Sequence, residues 1–412
     1  MESSQTAPPK KQLPFTRRQG VQLILSLLAL AALAMWIGAQ TDVPGRDYFT
    51  FFLSGKLLQL HLSPYAETAW LGGHDFYQSL YRPNPVFPYP LPLAVFFIPF
   101  AWLPIQTSFI VWIFLTGLAI FASAGLILQP LQRAERRRYL FPLLCGLILF
   151  RPVIVIMQGG QLDGVLLLLY SLAAFAWQRE RWSLGAVLIT LPILKPNIGV
   201  PVAALIALWL LLRRAYRPLI AMSLTALLLA ALGWLVDPQW IAEFVQISTT
   251  KLAGIFGYAP NLWGAANHLC GFQTGCARSL GAVLSGLVLL GTVLWLARLP
   301  KEQAFLALSL AICATLLVTV YLWTYDQLLL LLPLLWIIRE LIRRKSRFLL
   351  PATLLLWVDL AYILLMLITL RMQMEIWNVL LPLDVLIVLG TITFRVKSVQ
   401  GKEDDQSNPA AG

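Results

Sequence analysis

The chain has 412 residues, 59% of them hydrophobic and 12% charged. A soluble chain is nearer a quarter charged, so an ordinary water-soluble enzyme is excluded. The net charge of +12 is spread over short clusters between apolar runs, which argues against a nucleic-acid partner and for a chain threaded through a membrane. The expected fold is an all-α polytopic membrane protein.

The opening residues are polar and basic, with Lys10, Lys11, Arg17 and Arg18. No secretory signal peptide is evident, and Val21–Ala39 is long enough to stay as a spanning helix. The sequence divides into a cytoplasmic basic tail over 1–20, one transmembrane domain over 21–396 with outer loops at 40–90 and 237–279, and a disordered polar tail over 397–412.

The first outer loop, Thr41–Pro90, concentrates Asp, Arg, His, Tyr and Pro in an otherwise apolar chain. If 47–61 is helical, Asp47, Thr50, Ser54 and His61 share one narrow arc. This predicts a juxtamembrane helix lying on the membrane surface, with its carboxylate side toward a cavity. The alternative is a solvated Asp47 that only caps the helix. Leu91–Leu103, bounded by Pro90 and Pro104, is too short to cross and is expected to be re-entrant.

The remaining spans are expected near Gln106–Leu128, Tyr139–Met157, Gln161–Trp177, Leu184–Leu194, Ile198–Leu212, Pro218–Val236, Leu280–Ala297, Ala304–Leu322, Gln327–Ile342, Phe348–Leu370 and Ile376–Phe394. With the first they make about 12 transmembrane helices. Basic clusters fall in alternate loops: Arg133 with Arg136–Arg138, Arg179 and Arg181, Arg213 to Arg217, Arg298 and Lys301, Arg339 to Arg347. That alternation places both termini in the cytoplasm of a cytoplasmic (inner) membrane. Leu184–Leu194 is short and ends at Lys195-Pro196-Asn197, which puts a cation below the outer surface, tolerable around a cavity. In the second outer loop, Trp240, Tyr258 and Trp263 suit either interface anchoring or sugar faces. Cys270 and Cys276 share that loop, where a disulfide is permitted; their spacing does not decide between a bridge and free thiols.

Charged groups near the hydrocarbon are costly and mark a site. On the outer side lie Asp47, His61, Arg82, Asn84, Arg151, Gln161, Asp163, Lys195, Asn261, His268, Asp326, Arg371 and Glu375. Each has a structural alternative, such as Arg151 pairing with Asp163 or Asp326 capping a helix. No metal-ligand set, Gly-x-Ser-x-Gly or Walker-type loop is present. One well-placed carboxylate with several cations fits glycosyl transfer. The base takes the acceptor hydroxyl's proton while cations stabilise a leaving phosphate.

The order of short motifs resembles glycosyltransferase family 87, within the GT-C superfamily of membrane transferases. The motifs are Asp47-Tyr48 with Ser54-Gly55-Lys56, Ser63-Pro64-Tyr65, Phe87-Pro88-Tyr89-Pro90, Gly160-Gln161, Leu194-Lys195-Pro196 and Tyr325-Asp326. Two departures bear on sugar or acceptor contact: Asp163 stands where the family usually has Asn, and Pro92 interrupts the apolar run. The resemblance implies a GT-C-type fold and an inverting transferase using a polyprenyl-phosphate-linked hexose, mannose being expected. The reaction would take place at the outer face, on a lipid or glycan acceptor, with Asp47 as general base. The resemblance assigns a role to Asp47 alone; from their own placement, Arg151 within a span and Lys195 at a broken one are expected at the donor phosphate, and His61, Arg82, Gln161, Asp163, Asn261, His268 and Asp326 at the sugar or acceptor. The competing readings are a lipid-linked-saccharide flippase or transporter and a ligase using a pyrophosphate-linked donor. A flippase would spread its charges over several depths, whereas here they gather at one side.

Overall fold

A computed structural model describes residues 17–79, 87–132, 134–135, 138–139, 146–250, 258–343, 358, 360–368, 371 and 375–391. Both tails, Arg82, Asn84, Arg133, Arg136, Arg137 and most of Phe348–Leu370 lie outside the described residues. Those described are helices and their connections: α1 Arg17–Gln40, α2 Tyr48–Gln59, α3 Glu67–Phe76, α4 Leu91–Phe97, α5 Ile105–Leu128, α6 Arg151–Gly159, α7 Asp163–Gln178 and α8 Trp182–Thr190. There follow α9 Pro196–Leu212, α10 Tyr216–Val236, α11 Trp240–Thr250, α12 Leu262–Leu269, α13 Thr274–Leu296, α14 Ala304–Val318, α15 Leu331–Arg343 and α16 Ile376–Thr391.

Among the described residues, four helices are long and apolar enough to cross a membrane: α5, α10, α13 and α14 with its lead-in from Lys301. The 24 residues of α5 rise about 36 Å, more than the ~30 Å hydrocarbon thickness. Shorter apolar helices, α7, α9 and α16 among them, accompany these four. The hydrophobic α14 is buried on all sides along Ala304–Leu317, as a helix apolar all round must be. In contrast, α10 and α13 leave Leu227, Leu228, Leu235, Val283 and Leu287 exposed, the pattern of a lipid-facing surface.

Proline placement explains several short elements. Pro90 and Pro104 are the N-caps of α4 and α5, and between them α4 makes only seven residues before a 3-10 turn at Phe100–Trp102. Such a helix rises about 10 Å and cannot cross, in keeping with a re-entrant segment. The continuous span expected over Tyr139–Met157 is instead broken at Phe150, and α6 restarts at Arg151. Pro152 is the cause, because proline lacks an N–H and fits only the first turn of a helix. Arg151 therefore sits at a helix start and not in mid-helix.

One other expectation changes, and two open questions in the second outer loop are settled. The surface helix of 47–61 is α2, ending at Gln59, and Tyr48 to Gly55 are buried on every side. Its neighbours α3, α4 and α5 cover it, so it is a core helix with no face free for a membrane surface. The second outer loop is largely ordered, with α11, α12 and a Cys270–Cys276 disulfide. Its tryptophans pack inward: Trp240 Nε1 donates to Ala230 O, and Trp263 Nε1 donates to Val318 O at 2.8 Å.

Candidate active site

The site is assembled where the head of α2 meets the α6–α7 turn. Asp47 stands at the N-cap position of α2 yet makes no capping hydrogen bond. Its carboxylate is partly buried and hydrogen-bonded by the Gln161 side chain. Burial pushes the Asp47 carboxyl above its ordinary value, and the Gln161 hydrogen bond and the Lys195 charge offset part of that rise. The capping alternative required the side-chain bond that is missing.

Gly160 makes this approach possible. It ends α6 at φ 71, and a Cβ there would lie 2.7 Å from the Tyr48 Cβ and 2.9 Å from the Phe109 ring. Only glycine takes this left-handed turn without strain and also lets α2 come so near. Trp112 Nε1 fixes the turn by donating to Gly160 O at 2.8 Å. The residue that follows, Gln161, is thereby presented to Asp47.

Behind Asp47 lies a buried ion triad. Lys195 Nζ donates to both Asp163 oxygens, at 2.9 and 2.7 Å, and to Asp326 Oδ1. All three side chains are almost wholly buried, at 2% exposure or less. Asp326 also accepts from Trp323 N at 2.7 Å, so it caps a 3-10 turn at Thr324–Leu330 as well as pairing with Lys195. The ammonium reaches both carboxylates because α8 gives way to a 3-10 turn at Leu191–Leu194 and α9 starts at once. A Cβ on Gly199 would fall 1.9 Å from Pro192 O, so this fold-back needs glycine. Lys195 has three N–H donors and all are spent on aspartates, leaving none for a phosphate in this arrangement.

Arg151 is differently placed. Its Nη2 meets Glu375 Oε1 at 3.3 Å, where the sequence offered Asp163 as the pairing partner. Glu375 Oε2 in turn accepts from Thr324 Oγ1 at 2.6 Å and Thr324 N at 3.2 Å. Arg151 Nη1 and Gln161 Oε1 are buried without a hydrogen-bond partner among the described residues. Buried polar atoms are rarely left so, and these two have capacity for a ligand.

Other expected site residues lie apart or are already engaged. His61 is exposed beyond the far end of α2, in a left-handed turn at φ 58; twelve or more residues of helix put it roughly 20 Å from Asp47. Asn261 accepts from Trp263 N and Gly264 N as the α12 cap and donates to Thr319 O at 2.7 Å. His268 packs edge-on against Trp377 and Phe272. Aromatic neighbours gather here too: Tyr325, which the sequence places among the outer-side polar residues beside Asp326, and Tyr89 and Tyr321, which it does not mark as site residues. Tyr89, Tyr321 and Tyr325 lie within electrostatic reach of Asp47, and the Tyr325 ring sits 5.0 Å from Lys195 Nζ. A signal existed in the Tyr321-x-x-x-Tyr325 spacing, but aromatics at a membrane boundary are also ordinary anchors.

Comparison with known proteins gives one match and two blanks. No curated protein and no solved structure matches the chain. The family model of glycosyltransferase family 87 matches residues 87–322. That region takes in Arg151, Gln161, Asp163 and Lys195 but stops short of Asp47 on one side and Asp326 on the other. It covers more than half of the chain, which therefore belongs to glycosyltransferase family 87 and is a membrane glycosyltransferase.

Proposed function

We propose that this enzyme transfers a hexose, mannose in the first instance, from a polyprenyl-phosphate donor to a lipid or glycan acceptor, with inversion, Asp47 being the general base. The reading is carried by Asp47: a partly buried carboxylate that caps nothing, held by Gln161 beside an ion triad. The acceptor hydroxyl oxygen attacks the anomeric carbon as the bond from that carbon to the phosphate oxygen breaks. Asp47 takes the hydroxyl proton, and the lipid phosphate leaves with the bonding electron pair. Arg151 is the cation with an unspent donor for that phosphate; Lys195 fixes Asp163 and Asp326 in place. Gln161 Oε1 and the nearby tyrosines suit sugar hydroxyls and ring faces. Burial of the Asn261 side chain in its cap makes a positioning role the better assignment for that residue.

A lipid-borne donor is supported by the surroundings. An apolar groove of about 640 Å³, lined by Val187, Leu191, Leu224, Leu228 and Leu232, lies between α8 and α10 and includes the first residue of the Leu191–Leu194 turn. The alternating basic loops favour about twelve spans, cytoplasmic termini and a site at the outer face of the cytoplasmic membrane. A GT-C-type arrangement is the fold this reading requires.

Asp47→Asn tests the mechanism. Asn caps a helix as well as Asp but accepts no proton, so the variant should fold, bind donor and transfer about 10²–10⁴-fold more slowly. Near-normal transfer by folded Asp47→Asn protein would remove Asp47 as the base.

A further inference from the structure

A cavity with several charged residues in its lining lies at the other end of the helices that carry the candidate site. It measures about 1050 Å³ and is lined by the ends of α7, α13 and α15 and the start of α14. The triad residue Asp163 opens α7, whereas the cavity meets its last turn, roughly 20 Å away. The basic clusters place this end at the cytoplasmic face.

Arg339 is the unusual group there. The residue is 6% exposed, and its guanidinium lies 5.0 Å from the Phe305 ring centroid. Its nearest carboxylate oxygen, Glu340 Oε1, is 3.6 Å from Nη2, and that oxygen accepts from Arg343 Nη1 at 3.2 Å. Arg339 Nε and Nη1 have no hydrogen-bond partner among the described residues. A guanidinium does not shed its charge, so burial leaves the Nε and Nη1 N–H donors unsatisfied on a side chain that lines a roomy cavity. Arg298 and Lys301 add positive charge at the rim, where Glu180 and Glu302 are exposed.

We propose that this cavity binds a phosphate group through Arg339, at a site separate from the transferase centre. The tip nitrogens Nη1, which has no partner among the described residues, and Nη2, whose Glu340 contact is 3.6 Å long, present the parallel N–H pair that matches two phosphate oxygens. The volume suits a small-molecule or headgroup ligand, and anionic phospholipid is concentrated at a cytoplasmic leaflet. The phosphate comes from a lipid headgroup or from solution, and the two are separable by experiment.

Full-length protein in maltoside micelles is titrated with phosphatidylglycerol, with a diacylglycerol of the same chains, and with inorganic phosphate. Bound lipid is read by native mass spectrometry and phosphate binding by calorimetry. Saturable binding of phosphatidylglycerol or of phosphate is expected, with diacylglycerol far weaker. Arg339→Gln should weaken it roughly ten- to a hundredfold, the effect of losing charge-assisted hydrogen bonds. Binding of the lipid alone identifies a headgroup site; binding of inorganic phosphate identifies a soluble one. Should Arg339→Gln fail to fold, the exposed pair Arg298→Gln with Lys301→Gln replaces it and should lower affinity severalfold. Equal binding by wild type and folded variant, diacylglycerol binding as tight as phosphatidylglycerol, or no phosphate binding at all would overturn the proposal.

Discussion

Asp163 and Lys195 stand 32 residues apart in the chain and meet at 2.7 and 2.9 Å, each sealed from solvent. Asp326 closes the group from 131 residues further on. One ammonium between two carboxylates joins α7, α9 and the 3-10 turn before α15 at a single point, immediately behind Asp47. Such a cluster carries a heavy desolvation cost, and its geometry persists only while every partner is present.

The triad predicts an asymmetry between its members. Lys195→Met leaves two buried carboxylates facing each other and should cost about 3–5 kcal/mol of stability. Asp163→Asn leaves one lysine with one aspartate and should cost less. Thermal denaturation in detergent, read beside donor binding, checks this. A stable Lys195→Met protein that has lost donor affinity alone would assign Lys195 to the phosphate instead.

Asp47 also sets a pH dependence. It accepts a proton only when ionised, and burial raises its pKa from the ordinary 3.8. The rate should therefore fall on acidification with a midpoint above that value. The sign for stability is opposite: the folded state binds the Asp47 proton more tightly, so the penalty for its charge is present at neutral pH and fades as pH falls through the folded value. A pH–rate profile at saturating donor, compared with Asp47→Asn, locates the limb. A limb of unchanged position in the variant would assign it to another group.

Gly160→Ala should harm the site without touching a substrate. A side chain at φ 71 costs on the order of 1–3 kcal/mol, and the added carbon would press on Tyr48 and Phe109. The turn must shift, carrying Gln161 away from Asp47. Lower Tm together with a lower kcat is the expected outcome. Full activity with unchanged stability would mean that the α6–α7 turn does not position Gln161.

Membrane sidedness can be read with single introduced cysteines. Gly72 in α3 and Glu180 between α7 and α8 are both exposed. An impermeant thiol reagent applied to intact cells should label Gly72→Cys and spare Glu180→Cys. The reverse pattern would invert the topology, moving the candidate site to the cytoplasm and the Arg339 cavity outside.

The sequence by itself determined the all-helical class and the rough placement of the apolar segments. Each is a local property: a helix in lipid must satisfy its backbone internally and be apolar over its length, and a proline stops it wherever it occurs. The short Leu91–Leu103 segment and the stop at Lys195 were legible for that reason. The pairings were not. Arg151 with Glu375 spans 224 residues, Lys195 with Asp326 spans 131, and neither distance leaves a periodic trace. Whether Asp47 capped α2, whether α2 lay on a surface or inside the bundle, and whether Asn261 was free were decided by which helix ends meet. Helix packing selects those neighbours through shape contacts along whole faces, whereas hydropathy weighs each helix against lipid alone.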